Sequence, residues 1–358
     1  MVTAKKRYKY DPDYAIPPGD SLKDLIESLG MSQAELSRRT ELTVQTISRI
    51  LKGNQPISYD TANRLERVTG VRASTWNNLE SNYQELLQKI ADRDQFASES
   101  AWIKSIPTTE LIKRGFLTNT KDKIQLIRET LTFYGVNSVN AWTKIWTSPS
   151  VAPRRSLAFE TKIGSASAWI RQAEIQALKY ECRAFDRDKF KQALTQIRAL
   201  TKESPELFGR EIVRLCANSG VAVVYVNNMP KVPWCGATKW LSPEKAMIVL
   251  SLRGKKEDIF WFTFFHEAYH VLNPIKKDLL VNDGNLDDPE EVKANKYSAE
   301  FLLPSKYNGK IISGPSINNF FKIANENNIS IGIIIGRYHY LTGNFKRYNN
   351  NIRKIAIG

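Results

Sequence analysis

The sequence of 358 residues predicts a mainly α-helical protein that contains one small α+β domain. Three features predict it: short capped helices near the N-terminus, amphipathic segments through the middle, and a β-branched run followed by an apolar helix near the C-terminus. A chain of this length is too long for one typical domain. We therefore expect an all-α domain at 1–95, a helical connector or regulatory region at 96–205 and an α+β domain at 206–358.

The composition is that of a globular protein, with 42% hydrophobic residues and no apolar run long enough for a membrane span. The N-terminal segment lacks the apolar stretch of a signal peptide. The three cysteines contain no Cys-x-x-Cys pair, so we expect reduced thiols and a cytoplasmic protein. The net charge is +15, and its surplus lies in residues 101–200 and 301–358. A basic soluble surface and a second nucleic-acid contact both explain that surplus.

Hydroxyl side chains that can cap helices recur in the first domain, at Ser32, Thr43 and Ser58. Each can accept a hydrogen bond from a backbone N–H of the first helical turn. Ser32 and Glu35 also form a capping-box pattern. We therefore expect a short helix from Gln33, a second from position 44 that ends at Gly53, and a third after Ser58.

Two short helices joined by a tight turn are typical of a helix-turn-helix. Ala34 is predicted as the small residue at the crossing of the two helices, and Leu36 and Ile47 as their packing contacts. Polar side chains of types that reach base edges or phosphates lie around the second of these helices. The predicted DNA contacts are Gln33, Thr43, Gln45, Thr46, Arg49 and Lys52. A plain four-helix bundle with a polar face is the alternative.

This segment resembles the XRE/Cro family of helix-turn-helix domains. The wider stretch, from "IPPGDSLKDLIESLG" to "WNNLESNY" (76–83), looks like the HigA type of antitoxin over about residues 14–90. The resemblance implies that double-stranded operator DNA is bound by a homodimer, which would read two half-sites one helical turn apart.

The middle region, 97–205, contains amphipathic helical segments and proline-containing loops near Pro149 and Pro153. Its tryptophan and phenylalanine residues are expected in a core. The sequence leaves its role open between a connector, a sensor and a partner-binding surface.

The stretch "WFTFFHEAYHVLNP" contains His266-Glu267-Ala268-Tyr269-His270, an HExxH pattern on a predicted helix that follows predicted strands. Histidines at i and i+4 share one helix face and can bind one metal ion. A catalytic zinc takes three protein ligands and keeps one position open for water. Glu267 could reach that water as a general base. The alternative is a buried helix with two hydrogen-bonded structural histidines.

A third ligand must come from elsewhere in the chain. His339 is the only other histidine, but the stretch "DDPEEVKANKYSAEFLLP" offers a better candidate in Glu291. Glu291 and Asn295 are at i and i+4, so a ligand and a side chain that supports a ligand would share one helix face. Glu290 would point about 100° away and ranks second.

The two motifs "FTFFHEAYHVL" and "EEVKANKYSAEFLLP" together resemble the ImmA/IrrE family of zinc metallopeptidases, over roughly residues 205–345. The resemblance implies a zincin-like α+β metallopeptidase domain with a gluzincin-like site. His266, His270 and Glu291 would bind Zn²⁺, and Glu267 would be the base. Family members often carry a histidine three residues after the arginine that is here Arg337, where this chain has a tyrosine. The candidate transition-state donors are therefore His339, Tyr340 and Tyr338.

Taken together, the motifs predict a DNA-binding regulator, an antitoxin in particular, with a zinc endopeptidase domain that cleaves a partner regulatory protein or itself. Residues 90–106 are the expected linker. Expected partners are operator DNA and a cognate toxin or regulatory protein, with a single-stranded nucleic acid as a candidate signal and no membrane. Two alternatives stay open: a silent peptidase-like binding module, and a pure transcription factor whose C-terminal half oligomerises.

Overall fold

The computed structural model describes residues 14–146, 163–230, 232–251, 256–274, 280–281 and 288–356. The protein is mainly α-helical with one small sheet, which confirms the predicted fold class. The chain forms two compact units, Met1–Ser100 and Ala101–Gly358. The regions predicted as separate domains at 96–205 and 206–358 therefore share one unit almost entirely. The loops predicted near Pro149 and Pro153 lie outside the described residues.

The first unit is helical throughout its described part. Its capping residues are those predicted: the side chains of Ser32, Thr43 and Ser58 each accept a hydrogen bond from the backbone N–H three residues later. The helices are α1 (Pro18–Ser28), α2 (Gln33–Thr40), α3 (Val44–Leu51), α4 (Tyr59–Thr69) and α5 (Ala73–Ser98).

Leu36 and Ile47 are fully buried at the crossing of α2 and α3, as expected. The prediction for Ala34 is wrong, because its side chain is exposed. Residues two apart on a helix point about 200° apart, so a buried Leu36 turns Ala34 towards solvent. Ser37 is the small buried residue instead, and its hydroxyl donates to the carbonyl oxygen of Leu42 at 2.5 Å in the turn between the helices.

The second unit begins with helices and continues into the sheet. Among the described helices of the whole chain, none is long and apolar enough to cross a membrane. The helices before the sheet are α6 (Ser100–Ile103), α7 (Thr108–Lys113), α8 (Lys123–Tyr134), α9 (Val139–Trp146), α10 (Ile163–Leu178), α11 (Arg187–Ala199) and α12 (Pro205–Ala217).

The sheet has the strand order β1-β3-β2-β4. The strands are β1 (Val221–Tyr225), β2 (Gly236–Ser242), β3 (Lys245–Leu250) and β4 (Leu280–Val281). β1 pairs with β3 in parallel, whereas β2 pairs antiparallel with β3 and β4. Strands before the HExxH helix were predicted. β4 was not, since a two-residue strand has no detectable periodicity.

Successive side chains of the strands point to opposite faces of the sheet, and both faces are buried. Val221 and Val223 of β1 join one hydrophobic core, and Ala222 and Val224 join another. The second core contains Trp169 of α10 and other side chains of the preceding helices. The middle helices are therefore one wall of the sheet's own core, which explains why they do not form a separate domain.

The first core contains side chains of the helices that come after β3 in the chain. These helices are α13 (Glu257–Leu272), α14 (Pro289–Leu302), α15 (Asn308–Ser313), α16 (Ile317–Glu326) and α17 (Ile331–Thr342). The predicted HExxH helix is α13, and the predicted helix of Glu291 is α14.

Two half-buried arginines hold the C-terminal end of α14. The guanidinium of Arg198 donates to the carbonyl oxygens of Phe301 and Leu302 at 2.8 and 2.9 Å. That of Arg337 donates to the carbonyl oxygens of Ala299 and Leu303 at 2.5 and 3.0 Å. The last carbonyls of a helix lack partners within the helix, and positive charge there is favourable. The two arginines thus fix α14 between α11 and α17.

Replacing Arg337 with alanine should lower the free energy of unfolding by about 2–3 kcal/mol, because buried carbonyls of α14 lose charged donors. Urea unfolding measures the change. Exposed Arg210, which bonds a carbonyl oxygen of its own helix, is the matched control, and Arg210→Ala should stay within about 0.5 kcal/mol of the wild type. Equal losses in the two variants would contradict the anchoring role.

Candidate metal centre and DNA-binding surface

Helix α13 carries its polar motif through the first core. Phe264, Phe265 and Ala268 are fully buried around it. His266, Glu267 and His270 are also buried, with exposed fractions of 0%, 0% and 1%. Burying groups of this kind is costly unless each has a partner, so the neighbouring elements must supply partners to the motif.

Helix α14 supplies the first partners. It begins at Pro289 after Asp288, whose side chain accepts a hydrogen bond from the backbone N–H of Glu290 and caps the helix. This start places Glu291 in the first turn, where it is buried against α13. Glu290 lies beside it, and accepts a hydrogen bond from the hydroxyl of Tyr269 at 3.3 Å.

The side chains of His266, His270 and Glu291 converge on one point. The Nε2 atoms of the two histidines lie 3.1 Å apart. Oε2 of Glu291 lies 3.0 Å from Nε2 of His266, and Oε1 lies 3.2 Å from Nε2 of His270. Among the described residues, these three form the group that offers closely spaced ligand atoms to one metal ion. The structure therefore brings together the three predicted ligands.

Asn295 determines which nitrogen of His266 faces this point. Its Oδ1 lies 3.0 Å from Nδ1 of His266. Because a carbonyl oxygen only accepts, this contact places a proton on Nδ1 and turns Nε2 towards the shared point.

The donor set fits zinc. Two imidazoles and one carboxylate are a ligand set of catalytic zinc sites, and a hydrogen bond from the second ring nitrogen is the usual support for a histidine ligand. Asn295 makes a contact of this kind with His266. Nδ1 of His270 is buried and has no hydrogen-bond partner within the described part of the chain.

The two carboxylates of the site have opposite pKa shifts. Burial raises the pKa of Glu267 to about 8, and the hydrogen bond from Thr238 opposes this rise only in part. Burial also acts on Glu291, but its hydrogen bonds to the two histidines outweigh burial and lower its pKa to about 2. A lowered pKa favours the ionised form of Glu291, which is the form in which a carboxylate binds a metal ion. A positive charge bound beside Glu267 would lower the pKa of that carboxyl as well.

The three candidate transition-state donors lie elsewhere. Nε2 of His339 lies 2.7 Å from the carbonyl oxygen of Arg347. Tyr338 packs against Phe320, and Tyr340 is 82% exposed.

Helix α17 also contacts α13 near its beginning, where Gly336 lies against Asp258. Asp258 precedes His266 by about 12 Å along the helix axis. No hydrogen bond, ion pair or ring contact among the described residues joins these donors to the HExxH side chains. The structure does not bring them together with the candidate metal ligands.

Two residues of β2 that sequence reasoning missed lie against Glu267. The Thr238 hydroxyl is 2.7 Å from Oε2 of Glu267. Gly236, on the same face of the strand, is so close that a Cβ there would lie 2.9 Å from Oε1 of Glu267 and 2.6 Å from Cγ2 of Thr263. The alternation of side chains along a strand shows that residues 236 and 238 share one face. Nothing in the sequence gives the position of β2 against α13.

Replacing Gly236 with alanine should therefore destabilise the second unit by about 1–3 kcal/mol, because the added methyl group overpacks a closed contact. Thermal and urea unfolding measure the loss. Gly309→Ala is the matched control, since a Cβ at Gly309 meets nothing within 4 Å. A variant at 236 as stable as the one at 309 would show that β2 does not press on Glu267.

In the first unit, α3 presents a polar face to solvent. Gln45 and Arg49 are exposed on α3. Gln33, at the start of α2, and Lys52, directly after α3, are exposed as well. The hydroxyls of Thr43 and Thr46 lie 2.9 Å apart in the helix cap, so they also have a structural role. All six predicted DNA contacts thus lie on or beside α2 and α3.

Val44 is a further exposed side chain of α3 that the prediction did not include. It is 51% exposed at the start of α3, although it is apolar. An apolar side chain at this place in a helix-turn-helix can contact a thymine methyl group. The signal in the sequence was a valine outside the apolar periodicity of the helix.

Comparisons with known proteins agree with the first unit. Residues 22–76 match the family model described as helix-turn-helix. This segment is a DNA-binding helix-turn-helix domain. Among solved structures, the chain is similar to the Pseudomonas aeruginosa antitoxin HigA with higBA promoter, at 30% identity. That match covers 24% of this chain and 95% of the other, with a TM-score of 0.23. No curated protein sequence matches the chain.

Proposed function

We propose that the chain is a transcriptional regulator of the antitoxin type, whose second unit is a zinc-dependent endopeptidase of the ImmA/IrrE kind. One observation carries the enzymatic part: the buried side chains of His266, His270 and Glu291 converge on one point beside the carboxylate of Glu267. The helix-turn-helix at 22–76 supports the regulatory part.

The chain's own residues have distinct roles in this proposal. His266, His270 and Glu291 would hold Zn²⁺, and Asn295 orients the first of them through Nδ1. Bound zinc would supply Lewis-acid chemistry, polarising the scissile carbonyl group and lowering the pKa of water. Glu267 takes a proton from the attacking water and returns it to the leaving amine.

Replacing Asn295 with alanine should weaken zinc binding by about 10- to 100-fold, because His266 loses the partner that orients it. Competition with a chromogenic chelator measures the affinity. Asn325→Ala, at an exposed position of α16, is the control and should bind zinc like the wild type. Equal affinities for the two variants would count against the assigned role of Asn295.

The proposed substrate is a partner protein, either a cognate toxin or a second regulatory protein, or else the chain's own segment 90–106. Mapping new protein N-termini in cells that express the wild type or Glu267→Gln tests this. Cleavage sites should occur with the wild type and be lost, by at least about 100-fold, in the variant. Identical sets of N-termini would overturn the peptidase activity.

The burial of the HExxH side chains favours a second candidate, a peptidase-like domain that holds a partner without cutting it. The mapping of new protein N-termini also distinguishes the two candidate functions. A silent module would retain zinc binding in the wild type and would yield the same N-termini with and without Glu267.

For the first unit, we propose that a homodimer binds double-stranded operator DNA through α3. Arg49→Ala should weaken binding to a duplex from upstream of the chain's own gene by about 1–3 kcal/mol, since an arginine in the major groove commonly bonds guanine. Fluorescence anisotropy at fixed salt measures it. Arg67→Ala, exposed on α4, is the control. Equal losses would show that Arg49 makes no base contact.

The basic surplus of residues 101–200 and 301–358 supports a single-stranded nucleic acid as the proposed signal for activation. Oligonucleotides added across a salt series would then change the cleavage rate. A constant rate would remove this part of the proposal.

A further inference from the structure

The carboxylate of Glu267 is bound on one side only. Its Oε2 accepts a hydrogen bond from the hydroxyl of Thr238 at 2.7 Å. Its Oε1 is buried and has no hydrogen-bond partner among the described residues. The two oxygens of one carboxylate are therefore in different environments, although both are closed off from solvent.

The Thr238 hydroxyl lies within hydrogen-bond distance of two acceptors, both of them oxygens of Glu267. It lies 2.7 Å from the carboxylate oxygen Oε2 and 3.1 Å from the backbone carbonyl oxygen. A hydroxyl has one proton, and hydrogen bonds to an ionised oxygen are shorter and stronger than those to a neutral one. The proton therefore goes to Oε2 whenever Glu267 is ionised.

Gly236 lies on the side of the carboxylate that Thr238 leaves free, and it has no side chain to cover Oε1. A Cβ at position 236 would lie 2.9 Å from both Cγ and Oε1 of Glu267. Residues 236 and 238 are two apart, so they lie on the same face of β2. The Thr238 hydroxyl contacts Glu267 at one point, and the backbone of Gly236 contacts it at the other. We call Gly236 and Thr238 together the β2 cradle.

We propose that Thr238 is a positioning residue: its hydroxyl holds Oε2 of Glu267 and leaves Oε1 as the oxygen that exchanges the proton in the reaction. This inference rests on the proposed peptidase function and extends it to a residue outside both sequence motifs. A hydrogen bond to one oxygen restricts rotation about the last torsion, so the other oxygen stays directed away from Thr238. A side chain misplaced by about 1 Å can already cost about 100-fold in rate.

Crystal structures of the zinc-loaded variants Thr238→Val and Thr238→Ser test the proposal without an activity assay. Valine has the shape of threonine without the hydroxyl, whereas serine keeps the hydroxyl. In Thr238→Val, the Glu267 carboxylate should rotate or occupy two conformers, with an oxygen displaced by at least about 1 Å. In Thr238→Ser, both oxygens should keep the wild-type positions. Zinc per chain should stay at the wild-type value in both variants.

Thr130→Val is the matched control, because Thr130 is equally buried in the same unit but donates only to the carbonyl oxygen of Leu126. It should leave Glu267 in place. An unchanged Glu267 carboxylate in Thr238→Val would overturn the proposal. A protein that binds no zinc would overturn the peptidase function instead, and the metal-free structures of the same variants would still decide the role of Thr238.

Where a cleaved partner has been identified, the same variants give a second readout. Thr238→Val should lower kcat by about 10- to 100-fold with little change in KM, since the hydroxyl acts through Glu267 and touches no substrate. Thr238→Ser should recover most of the loss. A loss in Thr238→Ser as large as in Thr238→Val would contradict a role for the hydroxyl.

Discussion

The second unit depends on the cost of burying polar groups. Helix α13 carries two histidines and a glutamate through an apolar core, where an unpaired polar group costs several kcal/mol and an unpaired charge costs more. Each side chain must therefore find a partner on a neighbouring element. His266 and His270 find Glu291 on α14, and Glu267 finds Thr238 on β2. These contacts join the helix to both of its neighbours, and they are also the contacts that a metal site requires.

The position of α14 is fixed at both of its ends. Asp288 caps its first turn, immediately before Glu291, and Arg198 and Arg337 bond the carbonyls of its last turn. Charged hydrogen bonds at a helix end are among the stronger ones in proteins. Since Arg198 belongs to α11 and Arg337 to α17, the helix of the candidate ligand Glu291 is held by one element that precedes the sheet and one that follows it. The geometry of the candidate site is thus a property of the whole unit.

Local features were predictable from sequence, and long-range ones were not. The caps at Ser32 and Thr43 involve atoms only three residues apart, so the sequence contains all the information they need. The same is true of the i, i+4 pairs His266–His270 and Glu291–Asn295. The packing of the middle helices on the sheet, and the approach of Gly236 and Thr238 to Glu267, depend on register and crossover, which leave no local pattern. The prediction for Ala34 was wrong because it used the size of the residue and not the direction in which its side chain points from the helix.

In our proposal, His266, His270 and Glu291 form one zinc site. Zinc per chain tests this, measured by mass spectrometry on protein purified with zinc and then freed of excess metal, for the wild type and for His266→Ala. We expect about one zinc per chain in the wild type, the loading of a site with three protein ligands, and little in the variant. Equal zinc in both proteins, or none in either, would contradict it.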